Sequence, residues 1–162
     1  GVMINGRILL VQRQGEERRR LNRTLARAGY AVIVTDDREE ALRVLAMHPV
    51  DLILFDYHWF EGDRIRFLAS AKWRFPDVAR LMITTDLERA VALKALRSSM
   101  VHLFITHPYS ERTLVDTVGE ILTWTGRRTF DFDRGPTSGY KPEPAARPQP
   151  QHPPYSPLEN GV

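Results

Sequence analysis

The chain has 162 residues, 43% of them hydrophobic and 27% charged, with 23 Lys and Arg against 20 Asp and Glu and a formal charge of +3. That length supports one domain with a real core and falls short of what two need. The absence of cysteine excludes disulfides, thiolate metal sites and cysteine nucleophiles. No apolar run approaches the roughly 20 residues of a membrane helix, and the basic residues are too scattered to mark a nucleic-acid face.

A cytoplasmic protein is therefore expected. Gly1-Val2 ahead of Met3 reads as a processing or cloning remnant, so residues 1–6 are set aside. Arg7–Gln12 is a short apolar run ending at Gln-Arg-Gln-Gly, which suits a buried strand turning into a helix. The helix runs from about Glu16 to Ala28 with Leu21, Leu25 and Ala28 on one face, Arg18, Arg19 and Arg20 around the other, and Gly29 as its stop. Tyr30–Thr35 is a β-branched second strand, and Asp36-Asp37 offers a carboxylate cap to a helix carrying Ala41, Leu42, Leu45 and Ala46.

Asp51-Leu52-Ile53-Leu54-Phe55-Asp56 reads as a buried central strand that delivers Asp56 to its carboxyl end, where sites sit in open α/β sheets. A loop, Tyr57–Gly62, leads to a helix from about Asp63 to Arg74 with Ile65, Leu68 and Ala69 inward, and Phe75-Pro76-Asp77 stops it. Arg80–Thr84 is a fourth strand, and Asp86 is placed to cap a helix to about Arg97. Val101–Thr106 is a fifth, followed by His107-Pro108 and a Ser110-capped helix striped by Leu114, Val118, Ile121 and Leu122.

Five strand-helix units imply a doubly wound parallel sheet, a flavodoxin-like (βα)5 α/β fold with strand order 2-1-3-4-5, over residues 7–126. From Arg127 to Val162 the composition changes, and eight of the eleven prolines lie between Pro136 and Pro157. Residues 127–162 are read as a flexible proline-rich tail or linker, with the P-x-x-P spacing at Pro150–Pro153 as a possible docking motif.

Asp56 closing the third strand, Thr84 closing the fourth, Phe104 in the fifth and His107-Pro108 after it together resemble the receiver domain of bacterial two-component response regulators. Phe75–Thr84 is especially similar to the equivalent segment of many receivers. The resemblance implies that Asp56 matches the phosphoacceptor, Thr84 the hydroxyl residue that binds phosphoryl oxygens, and Phe104 the aromatic switch. It also implies a histidine kinase as donor, magnesium held partly by two acids after the first strand, and a lysine before the fifth-strand proline.

Here those two acids are replaced by Gln12-Arg13 and the lysine by His107, and the loop after Asp56 is about two residues short of the pattern and lacks its proline. Magnesium requires near-octahedral oxygen donors, mostly carboxylate, water and phosphate. Losing two carboxylates and gaining a cation removes most of that, and an Arg13 side chain is within reach of Asp56 to stand in for the ion's charge. The expected arrangement is a degenerate pocket of Gln12, Arg13, His58, Thr84 and His107 around Asp56, with no metal, no cofactor and no catalysis.

No two histidines share a helix face at metal-ligand spacing; His58 and His107 are the pair to check at the strand ends. No glycine-rich phosphate loop is present. The apolar residues of the fourth helix go around more than one face, and receivers use the fourth helix, fifth strand and fifth helix for partners. Leu87, Val91, Ala95 and Phe104 are therefore the expected interaction surface, with Trp59 and Phe60 a second candidate. The function expected is that of a pseudo-receiver signalling by protein contact, as a homodimer and without direct DNA binding. The alternatives are a working response regulator phosphorylated on Asp56 and a small-ligand or metal sensor at the strand ends.

Overall fold

Residues 4–57 and 63–125 are described by the structure, a computed structural model. Short β-branched and aliphatic runs form five strands, β1 (Gly6–Val11), β2 (Tyr30–Thr35), β3 (Leu52–Asp56), β4 (Ala79–Thr84) and β5 (Leu103–Thr106). They pair in parallel in the order β2-β1-β3-β4-β5, so the fold is flavodoxin-like. The five helices are α1 (Glu16–Arg27), α2 (Arg38–Met47), α3 (Arg64–Arg74), α4 (Arg89–Arg97) and α5 (Glu111–Trp124).

Every residue of β3 and β4 is buried, as continuous apolar runs in the middle of a parallel sheet must be. Alternating residues of the strands feed two cores. One, around Leu9, Val11, Ile53, Phe55 and Met82, is covered by α2, α3 and α4. The other, around Ile8, Leu10, Leu52, Leu54, Leu81 and Ile83, is covered by α1 and α5.

The helix starts are mostly local chemistry. Asp37 accepts from Glu40 N at 2.8 Å, Asp63 from Arg66 N at 3.0 Å and Ser110 from Thr113 N at 2.9 Å, each side-chain oxygen satisfying an otherwise orphan amide. After α1, Gly29 has φ 96°, and a Cβ there would sit 2.6 Å from Asn5 Nδ2, whose amide donates to Ala28 O at 2.8 Å.

Three expectations are corrected. Ile65 faces outward at 43% exposure; α3 buries Leu68, as expected, together with Phe67 and Ala71, one step round the helix from Ile65. Asp86 does not cap a continuous helix: residues Asp86–Glu88 form a 3₁₀ turn before α4, because Glu88 accepts from both Thr84 and Thr85 hydroxyls at 3.4 and 3.5 Å and tightens the chain there. Ala95, counted with the interaction surface, is 4% exposed and belongs to the core. His58, Trp59, Phe60, residues 1–3 and the proline-rich segment lie outside the described residues.

Candidate functional site

The carboxyl ends of β1, β3, β4 and β5 converge. Register sets Val11 beside Phe55, Asp56 beside Ile83 and Thr84 beside Thr106. Main-chain bonds extend the ladders past the strands: Gln12 N to Thr35 O, Tyr57 N to Ile83 O and His107 N to Thr84 O, at 2.8 to 2.9 Å. The backbone therefore holds each flanking residue of the site before any side chain is considered.

Asp56 is 0% exposed, and burying a carboxylate is costly unless neighbours answer it. Gln12, also 0% exposed, donates its side-chain amide Nε2 to Asp56 Oδ2 at 2.8 Å. His107 Nε2 lies 3.6 Å from the same oxygen, beyond a hydrogen bond. The neighbouring Arg13 is exposed. The 2.8 Å contact to Asp56 comes from the neutral Gln12 side chain.

Thr84 is buried, with its hydroxyl donating to Glu88 Oε1 at 3.4 Å. Phe104 is half-buried against the core, and Arg89 sits over its ring at 5.6 Å.

Two further residues, not singled out by sequence reasoning, complete the pocket. Glu17, in the first turn of α1, accepts from Tyr109 Oη at 2.5 Å and pairs with Arg20. The Tyr109 ring lies 5.1 Å from that of His107, one residue beyond the cis His107–Pro108 peptide. Burial, then the Glu17 carboxylate, pushes the Tyr109 phenol well above its ordinary range, so it remains a proton donor to Glu17. One ligand-type atom each from Glu17, Asp56 and His107 lies within 4.8 Å of the other two. The sequence signal for Glu17 was weak, since a glutamate in a first helical turn is ordinary dipole chemistry.

Chemically, the pocket presents two carboxylates, an imidazole and a neutral amide. That donor set does not fit magnesium, which takes hard oxygen ligands in strict octahedral geometry and would meet an amide, an exposed guanidinium and an imidazole where carboxylates and an ammonium are expected.

A profile of the family described as response regulator receiver domain matches residues 8–119. The hydrogenase transcriptional regulatory protein HoxA of Cupriavidus necator is 26% identical over 121 residues, which cover 74% of this chain and 24% of that protein. The response regulator protein FleR of Pseudomonas aeruginosa is 28% identical over 112 residues, 69% of this chain and 24% of its own length. The chain thus spans about a quarter of these curated relatives.

Among solved structures, the signal receiver domain of an HD domain-containing protein from Pseudomonas fluorescens superposes with a TM-score of 0.68 at 25% identity, covering 78% of this chain and 93% of that one. The receiver domain of NtrX from Brucella abortus gives 0.66 at 23% identity, covering 72% and 98%, a likeness of fold.

Proposed function

The chain belongs to the response regulator receiver domain family, and from that premise we propose that it is a pseudo-receiver, an interaction module that signals without magnesium-dependent phosphorylation of Asp56. Receiver domains are regulatory, and their input is a charge change at the strand-ending aspartate. The observation that carries this reading is the buried Gln12 amide bonded to Asp56 at 2.8 Å, at a position where the family pattern places an acid. Phosphoryl transfer depends on positioning and charge neutralisation, and a neutral amide supplies neither the anionic ligand that the family pattern places there nor a fixed positive charge.

Output goes through the surface of α4 and β5. Leu87 is 95% exposed, Val91 is half-buried, and Phe104 lies half-buried under Arg89. A second copy of the chain is the expected occupant, and a histidine kinase or downstream effector the expected further partner, with no direct role for nucleic acid. Among the described residues no helix is long and apolar enough to cross a membrane, and the reading places the module in the cytoplasm.

Incubation with acetyl phosphate or beryllofluoride and magnesium tests the proposal by intact mass and by spectra of the pocket. No adduct is expected. An adduct that disappears in Asp56→Asn establishes the rival reading, a working response regulator phosphorylated on Asp56.

A further inference from the structure

The pocket at the strand ends holds donors that the pseudo-receiver reading leaves unused. Glu17, Asp56 and His107 come from α1, β3 and the turn after β5, yet their ligand-type atoms all lie within 4.8 Å of one another. In the same pocket two buried polar atoms have no hydrogen-bond partner among the described residues: Gln12 Oε1, on a side chain that is 0% exposed, and Nε2 of His107 itself. Buried polar atoms are nearly always satisfied, so two orphans in one pocket call for an explanation.

The spacing supplies one. His107 Nε2 and Asp56 Oδ2 are 3.6 Å apart, too far for a hydrogen bond. The distance is close to the roughly 3.3 Å between two ligands on a tetrahedral ion with bonds of about 2.0–2.1 Å.

We propose that Glu17, Asp56 and His107 form a binding site for a borderline divalent cation of the zinc and cobalt class, with Gln12 Oε1 as the adjoining oxygen. Two carboxylates balance a doubly charged ion, and the imidazole nitrogen selects this class over magnesium and calcium, which take oxygen alone. The Gln12 amide keeps its 2.8 Å bond to Asp56 Oδ2 through Nε2 and leaves Oε1 as an unpartnered buried oxygen in the same pocket.

Glu17 is already oriented: Tyr109 donates to one carboxylate oxygen and Arg20 to the other, and each oxygen keeps a lone pair for the ion. An ion here changes the charge at Asp56, the same input that a phosphoryl group supplies in a working receiver. The inference rests on the pseudo-receiver reading for that consequence alone, since binding itself is a property of the donors.

The test titrates the whole chain, stripped with EDTA, with Co²⁺, Zn²⁺ and Mg²⁺, following the visible absorption of bound Co²⁺ and the heat of binding. One Co²⁺ per chain is expected, displaced by Zn²⁺ and not by Mg²⁺ at equal concentration. His107→Gln and Glu17→Gln are each expected to weaken Co²⁺ affinity at least about tenfold. Melting curves in EDTA establish that both variants fold, and Glu17, at 22% side-chain exposure in the first turn of α1, is the substitution least able to disturb the core.

Absence of a Co²⁺ band overturns the proposal, and so does a band of unchanged affinity in both variants, which assigns the ion to other histidines. Acetyl phosphate labelling with Mg²⁺ alone reports on the pseudo-receiver reading separately, so failure of one is distinguishable from failure of the other.

Discussion

One sheet buries a charge at each of its two ends, and the two charges are treated differently. At the amino end of β4, Arg80 is 4% exposed and its guanidinium donates to the carbonyls of Met100, Val78 and Ser99 at 2.7, 2.9 and 3.2 Å. Ser99 and Met100 lie in the turn between α4 and β5, where Ser99 takes a positive φ of 65°, and the Arg80 amide adds a bond to His102 Nδ1. Burial pulls the guanidinium pKa down to about 10, yet the fixed carbonyl dipoles leave this cation a structural rivet. At the carboxyl end, Asp56 meets a neutral amide at 2.8 Å and an imidazole at 3.6 Å, with two unpartnered polar atoms beside it. The Arg80 charge is held by fixed carbonyls, whereas the Asp56 carboxylate sits beside unpartnered polar atoms of Gln12 and His107 that a ligand can engage.

The comparison breaks most sharply at Arg80. Arg80→Ala should cost about 3 kcal/mol in urea unfolding, because three carbonyls lose a charged donor at once and the buried side chain leaves a cavity. Next in size is the chemistry of the other end. Restoring carboxylates with Gln12→Asp and Arg13→Asp should raise magnesium-dependent labelling of Asp56 by acetyl phosphate by about a hundredfold, read by mass spectrometry. If the double variant labels no better than the parent, the identity of Gln12 and Arg13 does not set the pocket's response to magnesium and phosphoryl donors.

Asp56→Asn should then stabilise the fold by about 1 kcal/mol, since it removes a buried charge and keeps the shape. A loss comparable to that at Arg80 would erase the contrast between the two ends.

The smallest effect is at Tyr109. Tyr109→Phe removes the bond to Glu17 and should cost about 1 kcal/mol or less near neutral pH. The folded-state phenol titrates above its unfolded value of 10.0, so its stabilising contribution is complete below that pH and is lost as pH rises beyond it. The gap between wild type and variant should therefore shrink above pH 10 in parallel urea titrations.

Much of the fold was legible because its determinants are local. The caps at Asp37 and Ser110 and the stripe of Leu114, Val118, Ile121 and Leu122 are each set by neighbours within a turn or two. Ile65 was misplaced because an apolar residue at the start of a helix fits either face until the sheet beneath is known. The start of α4 was misjudged because Glu88, not Asp86, collects the hydroxyls of Thr84 and Thr85. In the pocket, Asp56 and its burial followed from the apolar run before it, whereas the bond from Gln12, a polar residue just past the end of β1, had no local sign.

From the sequence alone came the alternation of strands and helices, the family resemblance and the placement of Asp56 at the end of β3, because periodicity and turn chemistry are properties of contiguous residues. What tertiary structure decided was who meets Asp56. Glu17 and Tyr109 are 92 positions apart yet share a proton bond, and Gln12 lies 44 positions before the carboxylate it touches. Contacts of that range arise only when parallel strands are laid in register and their ends brought to one edge, so the pocket's chemistry is a consequence of topology acting on residues that carry no local sign of belonging together.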